Sequence, residues 1–122
     1  MKRLFVLAAI AVLFSPIRIA GQGYQVVELA DVQLAKSLDA TVQDHSGAPI
    51  PKALVQEFSS DWRTVLRSTS TAADGRFSLT PVQGRRIYFI QISAPGFDPL
   101  RFRLQVDAKR GGRLRLELTI AT

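Results

Sequence analysis

Along most of this chain apolar and polar residues alternate one for one, and short phrases of glycine, proline and aspartate interrupt the alternation at fairly even intervals. A period of two marks a half-buried strand, because successive side chains leave the pleated backbone on opposite sides. Leu38-Asp39-Ala40-Thr41-Val42 places Leu38, Ala40 and Val42 on one face. Ala53 to Phe58 reads as a second strand and Ser59 to Arg63 as a loop. Thr64 to Thr71, rich in hydroxyl and β-branched residues, is expected to meet Phe77-Ser78-Leu79 as a hairpin across Ala73-Asp74-Gly75-Arg76, where Gly75 supplies a positive φ. Ile87 to Ser93 is the most apolar run and belongs at the centre of a sheet, with Tyr88, Ile90 and Ile92 on one side.

Ile87 and Phe89 begin an apolar second side to that strand, so something should cover it. The stretch 24–34, with Val26, Val27, Leu29, Val32 and Leu34, is the candidate cover; an exposed Phe89 would instead mark a self-association or partner surface. The last two runs are the cleanest. Phe102, Leu104 and Val106 alternate with Arg101, Arg103 and Gln105, and Leu114, Leu116, Leu118 and Ile120 alternate with Arg113, Arg115, Glu117 and Thr119. They predict a hairpin closed around Lys109-Arg110-Gly111-Gly112. Pairing Val106 with Leu114 sets Arg103 opposite Glu117, a charge preference of about 0.2–1 kcal/mol over the register that sets Arg103 opposite Arg115. Together the runs predict a small antiparallel β-sandwich with a single core.

The N-terminus departs from this pattern. Met1-Lys2-Arg3 is followed by eleven apolar residues, Leu4 to Phe14, and then by Pro16 and Arg18. The run falls short of the roughly 20 residues that a transmembrane helix needs, and its layout is that of a secretory signal. Residues 1–21 are read as that signal, with cleavage favoured after Gly21 over Ala20 and an uncleaved anchor as the alternative. Residues 22–37 form an N-terminal extension with a possible extra strand, and 38–122 the sandwich domain. The expected location is secreted or periplasmic, with no integral membrane span after signal removal. Sixteen basic residues oppose ten acidic ones, a formal charge of +6, but Lys2, Arg3 and Arg18 leave with the signal and the mature chain carries about +3. That weakens an argument for nucleic acid from high pI, and no nucleic-acid partner is expected. The chain has no cysteine, so the exported fold must hold without disulfides.

Three phrases then carry a resemblance. Val42-Gln43-Asp44 precedes Gly47-Ala48-Pro49-Ile50 with Ala53 and Val55; Thr71 leads through Gly75 to Phe77; Tyr88 leads to Ala94-Pro95-Gly96-Phe97. In this order the run from Ala40 to Leu118 resembles a carboxypeptidase regulatory-like domain, of the transthyretin-like (prealbumin-like) type. Asp39 or Ala40 stands where that family usually has glycine, and Ala73 where it often has an acidic residue. The resemblance implies a seven-stranded antiparallel β-sandwich and a non-catalytic accessory module of the kind found in peptidases, outer-membrane receptors and polysaccharide-acting proteins.

The residues agree that no familiar catalyst is present. A zinc carboxypeptidase needs two histidines and a glutamate on its metal, and His45 is the single histidine. A transthyretin-fold hydrolase would need several histidines and a C-terminal Tyr-Arg-Gly-Ser, whereas this chain ends Thr119-Ile120-Ala121-Thr122. Asp44, His45 and Ser46 are adjacent, which is the wrong arrangement for a triad assembled from separate segments, and His45 reads as a turn residue. Asp44, Asp74 and Asp98 sit in turns without the repeated spacing of a calcium loop. No cofactor, metal or catalytic residue is expected.

Two features are left for binding. Trp62, between Asp61 and Arg63, is either a platform for a sugar ring or a cap on the open end of the core. Arg101, Arg103, Arg113 and Arg115 form either a basic face for an anionic polymer or acidic protein, or the solvated, aggregation-resistant outside of an edge hairpin. The expected partner is a protein or glycan of the cell envelope, with a binding or structural role first and carbohydrate recognition as the alternative.

Overall fold

The computed structural model describes residues 25–122, so the expected signal at 1–21 lies outside the described residues. Eight strands carry the fold: β1 (Val27–Glu28), β2 (Gln33–Gln43), β3 (Leu54–Phe58), β4 (Val65–Ser70), β5 (Arg76–Ser78), β6 (Ile87–Ser93), β7 (Leu100–Val106) and β8 (Gly112–Glu117). Hydrogen bonding runs in the order β4-β3-β6-β7-β2-β5, with β1 on β7 and β8 on β2. The sheet curls over one core to make a sandwich. One layer is β4-β3-β6-β7 with β1; the other is β5, the second half of β2, and β8.

Strand β2 belongs to both layers. Gln33, Leu34 and Ala35 pair with Leu104, Gln105 and Val106 of β7, and after a register shift Ala40 to Gln43 pair with Leu114 to Glu117 of β8. Its other side takes β5, with Ala40 opposite Phe77. Eight strands thus replace the seven expected, and the pairings β1–β7, β2–β7 and β2–β8 are parallel rather than antiparallel.

Both expected hairpins give way to this arrangement. Strands β7 and β8 do not pair, because β2 lies between them, and the expected Arg103–Glu117 opposition is absent with the hairpin itself. Strand β4 spends its one ladder on β3, from Leu54 opposite Ser70 to Phe58 opposite Val65, and β5 goes to β2. The Gly75 turn is real: Gly75 has φ 79°, and its N–H donates to the Ala72 carbonyl at 2.9 Å. It carries the chain from one layer to the other instead of folding it back. A Cβ there would lie 2.5 Å from the Val42 carbonyl oxygen, so the turn is pressed against β2.

Alternation predicted the faces correctly. Leu38, Ala40 and Val42 point inward from β2, Tyr88, Ile90 and Ile92 from β6, and Phe102 and Leu104 from β7, all buried. Full burial of such a side chain contributes roughly 1.5–3 kcal/mol, and these residues with Val55, Phe77, Leu116 and Leu118 form one cluster. Strand β6 is central, between β3 and β7. The segment proposed to cover its outer side goes elsewhere: β1 and the start of β2 lie along the far edge of β7, and Val27 and Leu29 pack against the core.

Candidate functional site

The cover on the outer side of β6 is Trp62. Its loop is pinned locally: Ser59 N–H donates to the Thr64 carbonyl at 2.8 Å, Trp62 N–H to the Ser59 carbonyl at 2.9 Å, and Thr64 N–H to Ser59 Oγ at 3.1 Å. Asp61 Oδ1 accepts from Ser59 Oγ at 2.6 Å and from Arg63 N–H at 3.0 Å. The Ser59 hydroxyl, and then the Arg63 amide, hold the Asp61 carboxyl below its usual range. Within this frame Trp62 takes φ 63°, a left-handed conformation that is strained for a large side chain and costs on the order of 1–3 kcal/mol.

That conformation lays the indole over the sheet. Its ring centroid is 5.6 Å from Phe58 and 5.5 Å from Phe89, the latter edge to face, and the Arg101 guanidinium lies 4.4 Å from its centroid. Cross-strand register explains the grouping. Val65, Phe58, Phe89 and Arg103 stand side by side on β4, β3, β6 and β7, and the neighbouring row holds Ser68, Gln56, Gln91 and Arg101. Arg101 Nε and Nη2 both donate to Gln91 Oε1, at 3.2 and 3.0 Å. Burial draws the Arg101 guanidinium below its ordinary pKa, opposed by the charge of Glu28. Val65, 45% exposed, and Ile87, 39% exposed, continue the apolar surface.

Trp62 is therefore not a cap on the open end of the core. It is half-buried on the outside of the β4-β3-β6-β7 layer, with its ring already in contact with Arg101. The four arginines singled out from sequence are divided. Arg101 and Arg103 share the Trp62 face, while Arg113 and Arg115 lie outside the other layer, where Arg76 joins them: Thr41 stands between Arg76 on β5 and Arg115 on β8. Asp39 and Thr41 complete that shallow surface.

Sequence reading missed the one charged side chain buried in the core among the described residues. Glu57 is 1% exposed, accepts from Arg67 Nε and Arg85 Nη1 at 2.7 Å each, and so ties the loop after β5 to β3 and β4. Arg67 Nη1 also donates to the Thr80 carbonyl at 2.6 Å. The signal was present: Glu57 is in phase with Ala53 and Val55, so a strand that buries those two must bury the carboxylate and supply it with partners.

The Asp44-His45-Ser46 phrase is a turn. Asp44 Oδ1 accepts from Ser46 N–H at 2.9 Å, Ser46 Oγ at 2.6 Å and Ala48 N–H at 3.0 Å, and exposed His45 stands at its tip. The Ser46 hydroxyl, joined by the two amides, depresses the Asp44 pKa. A depressed carboxylate contributes stability above its unfolded value, near 3.8, and loses it as pH falls through the folded value. The protection of the Ser46 and Ala48 amides, measured against their intrinsic exchange rate at each pH, should fall only below that point; a loss of protection beginning near neutral pH would assign the turn's stability to something else.

Among the described residues no three His, Cys, Asp or Glu side chains converge as a metal site would require, and no helix is long and apolar enough to cross a membrane. No curated protein matches the chain significantly. The profile of the carboxypeptidase regulatory-like domain matches residues 37–119, from within β2 to just beyond β8. With that span matched and the β-sandwich in place, the chain belongs to the carboxypeptidase regulatory-like domain family, whose modules are non-catalytic and transthyretin-like.

Proposed function

We propose that this chain is an exported, non-catalytic module that binds a protein of the cell envelope or extracellular space through the Trp62 face. The observation that supports this reading is the strained Trp62, held by its own loop against Phe58, Phe89 and Arg101 on an otherwise solvent-facing sheet. Trp and Arg set in apolar surroundings are the residue types that dominate protein interfaces. The carbohydrate alternative asks more of the site. A sugar stacks on an open indole face, and here one face of the ring is already taken by Arg101.

The test is cross-linked capture by the tagged mature chain from its native envelope fraction, with protein and glycan both analysed. A reproducible protein partner is expected, and Trp62→Ala, checked to be folded at the capture temperature, should weaken capture by about 30-fold, the scale of an interface hot spot. Recovery of glycan without protein would transfer the assignment to carbohydrate recognition. Capture indifferent to Trp62→Ala would remove this face from either role.

A further inference from the structure

We propose that Arg101 is the carboxylate anchor of the Trp62 face, and that the segment docking there presents an aspartate or glutamate beside an apolar side chain. The inference rests on reading that face as a protein contact surface.

Arg101 is fixed in place before any partner arrives. Two of its nitrogens share one acceptor, Gln91 Oε1, and its plane is steadied by the indole. Its Nη1 donates to no protein atom among the described residues, and it is not among the side-chain nitrogens there that are fully buried without a partner. The edge formed by Nη1 and Nη2 can therefore still receive a carboxylate.

Its charge has no close counter-ion. The ion pairs among the described residues belong to Arg67, Arg85 and Arg110. Glu28 is beside Arg101 in the β1–β7 register but beyond ion-pair distance. Arg103, two residues along the same face, spends one nitrogen on the Ala30 carbonyl at 2.6 Å and likewise meets no carboxylate.

The two halves of the face together define the partner. Val65, Phe58, Phe89 and Ile87 favour apolar side chains, but a purely apolar partner would strip water from Arg101 and leave a buried, uncompensated charge. A purely anionic partner would leave the apolar row wet. A carboxylate next to a leucine, isoleucine or phenylalanine satisfies both.

A random peptide library displayed on phage, selected against residues 22–122, tests this. Selected peptides should pair Asp or Glu with a large apolar neighbour, and Arg101→Gln should weaken them at least about tenfold. Changing the peptide's acid to its amide should weaken binding to the wild type and have little further effect on Arg101→Gln. Arg101→Lys, which keeps the charge and loses the fork, serves if the Gln variant unfolds. Selection of peptides without acids, an amide effect of equal size on both proteins, or no selection at all would overturn the anchor. Binding lost in Trp62→Ala but indifferent to Arg101→Gln would overturn the anchor and leave the contact face standing; indifference to both would remove the two together.

Discussion

Glu57→Ala should cost the fold about 2–3 kcal/mol, because it removes two charge-assisted hydrogen bonds and leaves a buried gap beside two arginines that are themselves 27% and 35% exposed. The side chain is 1% exposed, and each of its oxygens accepts one guanidinium at 2.7 Å. Losing it frees Arg67 from β3 and Arg85 from the end of the core, and with Arg85 goes the turn that holds Val82 N–H on the Tyr88 hydroxyl at 3.0 Å. The midpoint of urea unfolding should fall accordingly. A companion variant in which Glu57, Arg67 and Arg85 all become apolar residues of similar volume should recover most of the loss, since the triplet's desolvation cost disappears with its attraction. A Glu57→Ala loss below about 1 kcal/mol would mean that the two partly exposed arginines exchange the carboxylate for water at little cost and that the triplet does not hold the loop.

Gly111→Ala should be comparably damaging, at about 3 kcal/mol or more, although its backbone needs no left-handed conformation. The reason is contact. A Cβ on Gly111 would lie 2.3 Å from the Ala35 carbonyl carbon, 2.5 Å from its oxygen and 2.6 Å from the Asp107 oxygen, all main-chain atoms that cannot rotate away. Here the chain leaves β7, is held by Asp107 N–H on the Ala35 carbonyl at 2.9 Å and by Gly111 N–H on the Asp107 carbonyl at 2.7 Å, and crosses β2 to begin β8. Gly112→Ala is the control: nothing lies within 4 Å of its Cβ. Denaturation of the pair should separate a large loss from a negligible one; equal effects would indicate that glycine acts there through chain flexibility and not through close approach.

These two residues also show what alternation can and cannot say. It reports which side of a strand is buried, so the inward sets on β2, β6 and β7 were legible from sequence. It does not report which strand lies alongside. The runs 101–106 and 113–120 satisfy every local requirement of a hairpin, yet β2 lies alongside both, pairing three residues with β7 and five with β8, and Gly111 marks the crossing that sequence reads as a hairpin turn. Strands β4 and β5 part for the same reason, each finding a better partner in β3 and β2.

The candidate face was half legible. Trp62 stood out by its polar neighbours, but its position depends on a left-handed φ that no local pattern announces. Arg101 and Arg103 lie together on one layer and Arg113 and Arg115 on the other, a division that follows from the absence of the β7–β8 hairpin. Arg76 was hidden in a turn phrase and appears beside Arg115 only through β2.

The sharing of β2 between layers also bears on where the unit physically begins. Family similarity starts at residue 37, four residues into β2, after Gln33, Leu34 and Ala35 have already paired with β7. Protein trimmed to that boundary would keep the β5 ladder and the β8 ladder from Ala40 onward but strip β1 and the head of β2 from β7, uncovering a seven-residue strand edge from Leu100 to Val106. Such an edge is a template for pairing with other molecules, so the trimmed protein would carry an aggregation seed that the untrimmed one masks with its own N-terminal residues.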